Sequence, residues 1–168
     1  MRAIVRLVGR GRYDMRRATQ TLAIVASITI VGGLVAPAAA ASARPVSSDA
    51  YEQRILDLVN LERTRRGLRP LRVARCADGF ATRWSQRLAE SESLRHQPMR
   101  RVLDGCEARR AAENIGHGAV SAERMVKLWM GSRRHRANLL DARFSRIGVG
   151  AARSRSGAWY AVTNFLAY

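Results

Sequence analysis

W-M-G-S-R-R-H-R-A-N-L-L-D-A-R-F-S-R-I-G-V-G, Trp129 to Gly150, is the stretch on which the fold turns. Trp129 closes an apolar stripe of helical period with Ala122, Met125 and Val126, behind a capping Ser121. Gly131 breaks that helix. Ser132 can cap a second, short one through Leu140, anchored by Leu139 and Leu140. The spacing then changes to that of strands, Arg146 to Ala152 and Ala158 to Leu166, joined by the hairpin loop R-S-R-S-G at Arg153 to Gly157. In the last strand Tyr160, Val162, Asn164 and Leu166 face one way and Trp159, Ala161, Thr163 and Phe165 the other. Large apolar groups on both faces require cover on both sides. Helices on two faces of a small antiparallel sheet therefore follow.

Outward from this stretch, Tyr51, Ile55, Leu58 and Val59 form a helical stripe, with Asp49 as cap, Glu52 three residues on, and Gly67 as stop. Ala77, Phe80, Ala81, Trp84 and Leu88 repeat at three- and four-residue steps in a helix that begins near Cys76 and fades in Glu90 to Ser93. Pro98 keeps His96 and Gln97 extended. Residues 99–111 are polar and irregular, and they read as a surface loop. Gly148 and Gly150 in I-G-V-G lack a following G-K-[ST] step. They indicate close packing against the strand, not a phosphate loop.

The chain of 168 residues is long enough for one domain and a targeting segment. Residues 1–17 hold six Arg and one Asp, residues 21–36 are apolar or small without charge, and Pro37 precedes A-A-A-A-S-A, Ala38 to Ala43. These are the parts of a secretory signal peptide over residues 1–43, cleaved after Ala41 or Ala43. Met15, followed by Arg16 and Arg17, is an alternative start, and an uncleaved anchor holding the domain on the outer face of the cytoplasmic membrane is the alternative fate. Residues 44–50 read as a linker and 51–168 as the domain. The part after residue 43 carries 24 basic and 12 acidic residues, a net +12, with Lys127 its one lysine. Arg63, Arg65, Arg66, Arg69, Arg72 and Arg75 form one group, and Arg133, Arg134 and Arg136 another. Such a field suits an anionic envelope polymer or membrane surface, or is a solvated basic face. No recognition motif for nucleic acid accompanies it. In an exported chain Cys76 and Cys106 are expected to pair as a disulfide.

With A-E-N-I-G at Ala112 to Gly116, the Trp129–Gly150 segment resembles the CAP superfamily, the SCP-like or cysteine-rich secretory proteins, in its compact bacterial form. The likeness covers about Tyr51 to Phe165. It implies an α-β-α three-layer sandwich with a small, mostly antiparallel sheet. It also implies a cleft where His96 of L-R-H, Glu113 of A-E-N-I and His135 of H-R-A-N-L-L meet. In animal and plant members a second Glu follows the Trp by three residues, where this chain has Ser132. Two imidazoles and a carboxylate can hold Zn²⁺ or another divalent cation with an open position. The same three can form a hydrogen-bond network only. His117 matches no cavity position and is expected at the rim. Trp84, Trp129 and Trp159 are read as packing residues.

The functional expectation is a secreted, monomeric binding module that takes a small ligand or lipid in this cleft, with no catalytic residue assigned. The alternative is a metal-assisted hydrolase of peptide or cell-wall bonds. Neither H-E-x-x-H nor G-x-S-x-G is present in the sequence.

Overall fold

Tyr51, Ile55 and Val59, fourfold-spaced, form the buried stripe of α1 (Ser48–Thr64). The computed structural model describes residues 45–168, and the expected signal peptide lies outside the described residues. Ser47, not Asp49, caps α1, accepting from Ala50 N, because its backbone is extended while Asp49 is already in the first turn. Residues 48–50, assigned to the linker, are thus helical. After α1 come β1 (Arg72–Val73), α2 (Arg75–Ser91), α3 (Met99–Gly105), β2 (Arg110–Gly118), α4 (Ala122–Gly131), α5 (Arg133–Leu139), β3 (Arg146–Arg153) and β4 (Trp159–Ala167).

The sheet runs β1-β3-β4-β2, with β1 parallel to β3 and the other pairs antiparallel. Register puts Glu113 opposite Asn164 and Ile115 opposite Val162, on the face that α2 covers through Ala81, Leu88 and Ala89. The opposite face, with Trp159, Ala161 and Phe165, packs on α1, α4 and α5. The three-layer sandwich is therefore formed, and both sides of β4 are buried as its alternation requires.

Two local expectations fail. Residues 99–111 are not a loop: Met99–Gly105 is α3, and β2 starts at Arg110. One buried residue, Val102, holds this short helix to the core, so it shows no stripe. Arg63, grouped with the surface arginines, is 1% exposed. Its Nε donates to Arg69 O, Nη1 to Leu139 O and Asp141 O, and Nη2 to Phe144 O. Four carbonyls satisfy the fork, and the turn after α1 is thereby tied to the segment between α5 and β3.

The Cys76–Cys106 disulfide is formed, with Cα atoms 5.6 Å apart, and joins the start of α2 to the residue after α3. Closing a loop of this size stabilises by about 3–4 kcal/mol on a chain-entropy account.

Beyond β1, the outer side of β3 is covered by side chains. Val149 N donates to Asp78 Oδ1 and Ala151 N to Glu52 Oε1. Burial pushes the Glu52 carboxyl up to about 7, against the hydrogen bond from Ala151. On the edge strand β2, Glu113 O accepts from Asn138 Nδ2 and Ile115 O from Trp129 Nε1.

Helix α2 lies directly on β3. A Cβ on Gly148 would run into the backbone of Ala77 and Asp78, and one on Gly150 into Ala81 and Thr82. The close approach expected from I-G-V-G is thus present. Gly148→Ala and Gly150→Ala should each cost about 1–3 kcal/mol, as overpacking does. Gly131→Ala, where a Cβ meets nothing within 4 Å, should cost little. Urea unfolding of the three variants checks this.

Candidate functional site

The loop between α2 and α3 places His96 and Gln97 beside the edge strand β2, and Glu113 points at them from the α2 face. Its carboxylate is sealed, with a side chain 1% exposed. His96 Nδ1 lies 2.6 Å from Glu113 Oε1, which also accepts Gln97 N at 3.2 Å. Gln97 Nε2 donates to Glu113 Oε2 at 2.6 Å and to Asn164 Oδ1 at 3.0 Å, and Asn164 Nδ2 donates to Ala77 O. Burial raises the Glu113 pKa, and the hydrogen bonds from Gln97 and His96 oppose it. The His96 side chain is 60% exposed, so an imidazole backed by a buried carboxyl stands at the surface.

His135 comes from the other side of the edge strand, on α5. Asn114 Nδ2 donates to His135 O, and Asn138 Nδ2 donates to Asn114 Oδ1 and to Glu113 O. This asparagine lattice ties α5 to β2. Burial lowers the His135 pKa, and the nearby His96 lowers it further. Ser132 occupies the N-cap position of α5, half-buried, without a side-chain capping bond. His117 is exposed farther along β2, its ring tilted against Tyr160 at 5.4 Å.

His96 and Glu113 are therefore bonded, and His135 stands near enough for charge coupling. A ligating trio is another matter. Among the described residues no three His, Cys, Asp or Glu side chains are placed to hold a metal ion. Both Glu113 oxygens carry hydrogen bonds, one from His96 and Gln97 N and the other from Gln97 Nε2. In this arrangement the three side chains do not form a metal-ligand cluster. Gln97, 6% exposed, is a member of the site that its motifs do not mark. The one signal for it in the sequence is Pro98, which fixes an extended backbone just before itself.

A second feature lies where α1 and α4 begin and the β3–β4 hairpin turns. A cavity of about 550 Å³ is lined by Tyr51, Val120, Ala122 and Trp159 with Arg54, Glu123 and Arg153, among others. Tyr51 and Trp159 stack with centroids 4.3 Å apart, and the Arg153 guanidinium sits 4.8 Å over Trp159. Tyr51 Oη donates to Val120 O, and burial pushes its phenol up to about 12. Arg54 Nε pairs with Glu123 Oε1 at 2.6 Å. Trp159 is a packing residue, as expected, and its ring also lines this cavity.

The model of the cysteine-rich secretory protein family, CAP, matches residues 56–165. The chain belongs to this family. This CAP chain is 35% identical over 119 residues to an uncharacterised Bacillus subtilis protein, YkwD, covering 67% of the chain and 46% of YkwD. It is 29% identical over 122 residues to an uncharacterised B. subtilis membrane protein, YlbC, covering 68% of the chain and 34% of YlbC. The chain thus spans less than half the length of these curated relatives. An extracellular SCP-domain protein from Bacillus anthracis superposes with a TM-score of 0.64 at 24% identity, covering 72% of this chain and 41% of that one. An outer surface protein of Borrelia burgdorferi gives 0.67 at 17% identity, covering 73% and 96%. These two likenesses establish the fold. Among the described residues no helix is long and apolar enough to cross a membrane.

Glu113→Gln replaces an acceptor with an amide whose NH₂ must face a donor. It should cost about 1–3 kcal/mol while far-UV circular dichroism stays unchanged, read by urea unfolding. His135 should titrate below the ordinary histidine range by NMR. His96→Gln should move that midpoint up without restoring it, because burial, the larger cause, remains. A depressed histidine is stabilising only while neutral, so its contribution is lost as pH falls below about 6.5.

Proposed function

We propose that this chain is an exported binding module that holds an anionic amphiphile, such as a fatty acid or lysophospholipid, in the cavity between α1, α4 and the β3–β4 hairpin. The observation that carries the reading is the cavity's makeup. The stacked Tyr51 and Trp159 with Val120 and Ala122 supply an apolar wall, and Arg153 supplies a cation beside the Arg54–Glu123 pair. Its volume falls in the range of small-molecule sites, about 300–1,000 Å³. A chain with +12 after residue 43 also suits an anionic envelope, where such lipids occur.

The hydrolase reading requires Glu113 to act as a base or a metal ligand. Two partners already engage that carboxyl, which favours the binding reading over it. His96, Glu113 and His135 then serve as a lattice that fixes the edge strand to its flanking elements, with the exposed His96 imidazole as the face it offers to a small ligand.

A fluorescent polyene fatty acid should bind the protein and accept energy from tryptophan. Val120→Trp should fill the cavity and abolish that transfer with the fold intact by circular dichroism. Binding equal in the wild type and Val120→Trp would rule out this cavity, and no binding to the wild type would refute the lipid class.

A further inference from the structure

The flank of α2 that meets the His96–Pro98 loop and α3 carries a feature separate from the amphiphile cavity, and it shares only Gln97 with the Glu113 network. Phe80, Arg83, Trp84 and Arg87 of α2 meet Gln97, Pro98 and Arg101 around a concavity of about 150 Å³. No carboxylate lines it. Among the described residues Arg83, Arg87 and Arg101 make no ion pair within 4.0 Å, although other exposed arginines do, such as Arg66 with Glu62 and Arg100 with Asp104.

The guanidinium groups here are held by aromatic faces. Arg83 lies 5.0 Å over Phe80, and Arg87 and Arg95 lie 5.9 Å and 5.7 Å over Trp84. Trp84 is itself fixed, its Nε1 donating to Arg95 O at 2.9 Å. Stacking restrains these side chains and leaves their N–H edges free to donate. Arg83 and Arg87 are four residues apart on one helix, a spacing at which like charges repel. Two stacked guanidinium groups of α2 and Arg101 of α3 thus line one small hollow without a counter-charge. Planar forks match the oxygens of a phosphate two at a time.

We propose that this hollow binds a phosphate group carried on a soluble, extended ligand, such as a glycerol-phosphate polymer. The concave shape and small volume suit one phosphate of a flexible chain better than a flat bilayer. The aromatic rings reinforce that choice, since they lie under arginines and are not free to insert among lipid tails.

Calorimetric titration with a short poly(glycerol phosphate) should show binding. The triple variant Arg83→Gln, Arg87→Gln, Arg101→Gln should weaken it by about tenfold or more, the loss expected from charge-assisted hydrogen bonds. The triple variant Arg133→Gln, Arg134→Gln, Arg136→Gln removes the same charge elsewhere and should weaken it far less. Arg83→Lys with Arg87→Lys keeps the charge and loses the fork, and it should also weaken binding. Equal losses in the two glutamine variants would overturn the site in favour of diffuse attraction. Unchanged binding in the lysine variant would overturn the role of the forks. Inorganic phosphate competing at micromolar concentration would overturn the need for a chain. Binding to phosphatidylglycerol vesicles without binding to the soluble polymer would overturn the proposal in favour of a membrane. The amphiphile cavity does not touch these residues, so Val120→Trp should leave polymer binding unchanged.

Discussion

The buried guanidinium of Arg63 is the constraint on which the placement of α5 and of the segment leading into β3 depends. A cation sealed from water is tolerable only when its donors are satisfied, and here carbonyls from the turn after α1 and from the stretch Leu139–Phe144 meet it. One of them, Leu139 O, belongs to the last residue of α5. That helix carries His135 and Asn138, whose bonds to Asn114 and Glu113 fix the edge strand. The position of His135 relative to Glu113 therefore rests on an arginine far from either in sequence. Burial lowers its pKa, and Asp141 offsets part of that shift.

What the sequence discloses follows from how burial writes itself into periodicity. The stripe of Tyr51, Ile55 and Val59, and the two-faced run of β4, each place many apolar residues at regular steps, so helix and strand are legible there. The two glycines of I-G-V-G are legible as a close approach because few other residues let backbones touch. Helix α3 is not legible, since Val102 alone buries it, and β1 is too short to have a period. Arg63 escapes a reading by composition because an arginine's usual place is the surface. Only the four carbonyls assembled by the tertiary fold make its burial tolerable.

The candidate site divides in the same way. His96 and Glu113 are located through a family likeness in their motifs, and they are bonded. What motifs do not convey is how many partners a carboxyl has. Gln97 takes the second oxygen of Glu113, so the carboxyl sits in a polar network that the motifs alone do not show. Buried polar residues such as Gln97, Asn114 and Asn164 have no periodic signature, because their placement is dictated by hydrogen-bond partners distant in sequence. The cavity between Tyr51 and Trp159 is hidden for a related reason. Its walls are the same aromatic residues that packing alone would explain.

Sheet edges ordinarily expose rows of donors and acceptors that a foreign strand can use as a template. In this chain Asp78 and Glu52 occupy the outer donors of β3, while Asn138 and Trp129 occupy outer carbonyls of β2. Each of these side chains comes from a helix packed on the sheet, so the cover is built in with the layers. Augmentation of the sheet by a peptide, or edge-to-edge stacking into fibrils, would first have to displace them. A sheet closed in this way leaves recognition to side chains at its hollows and not to its backbone.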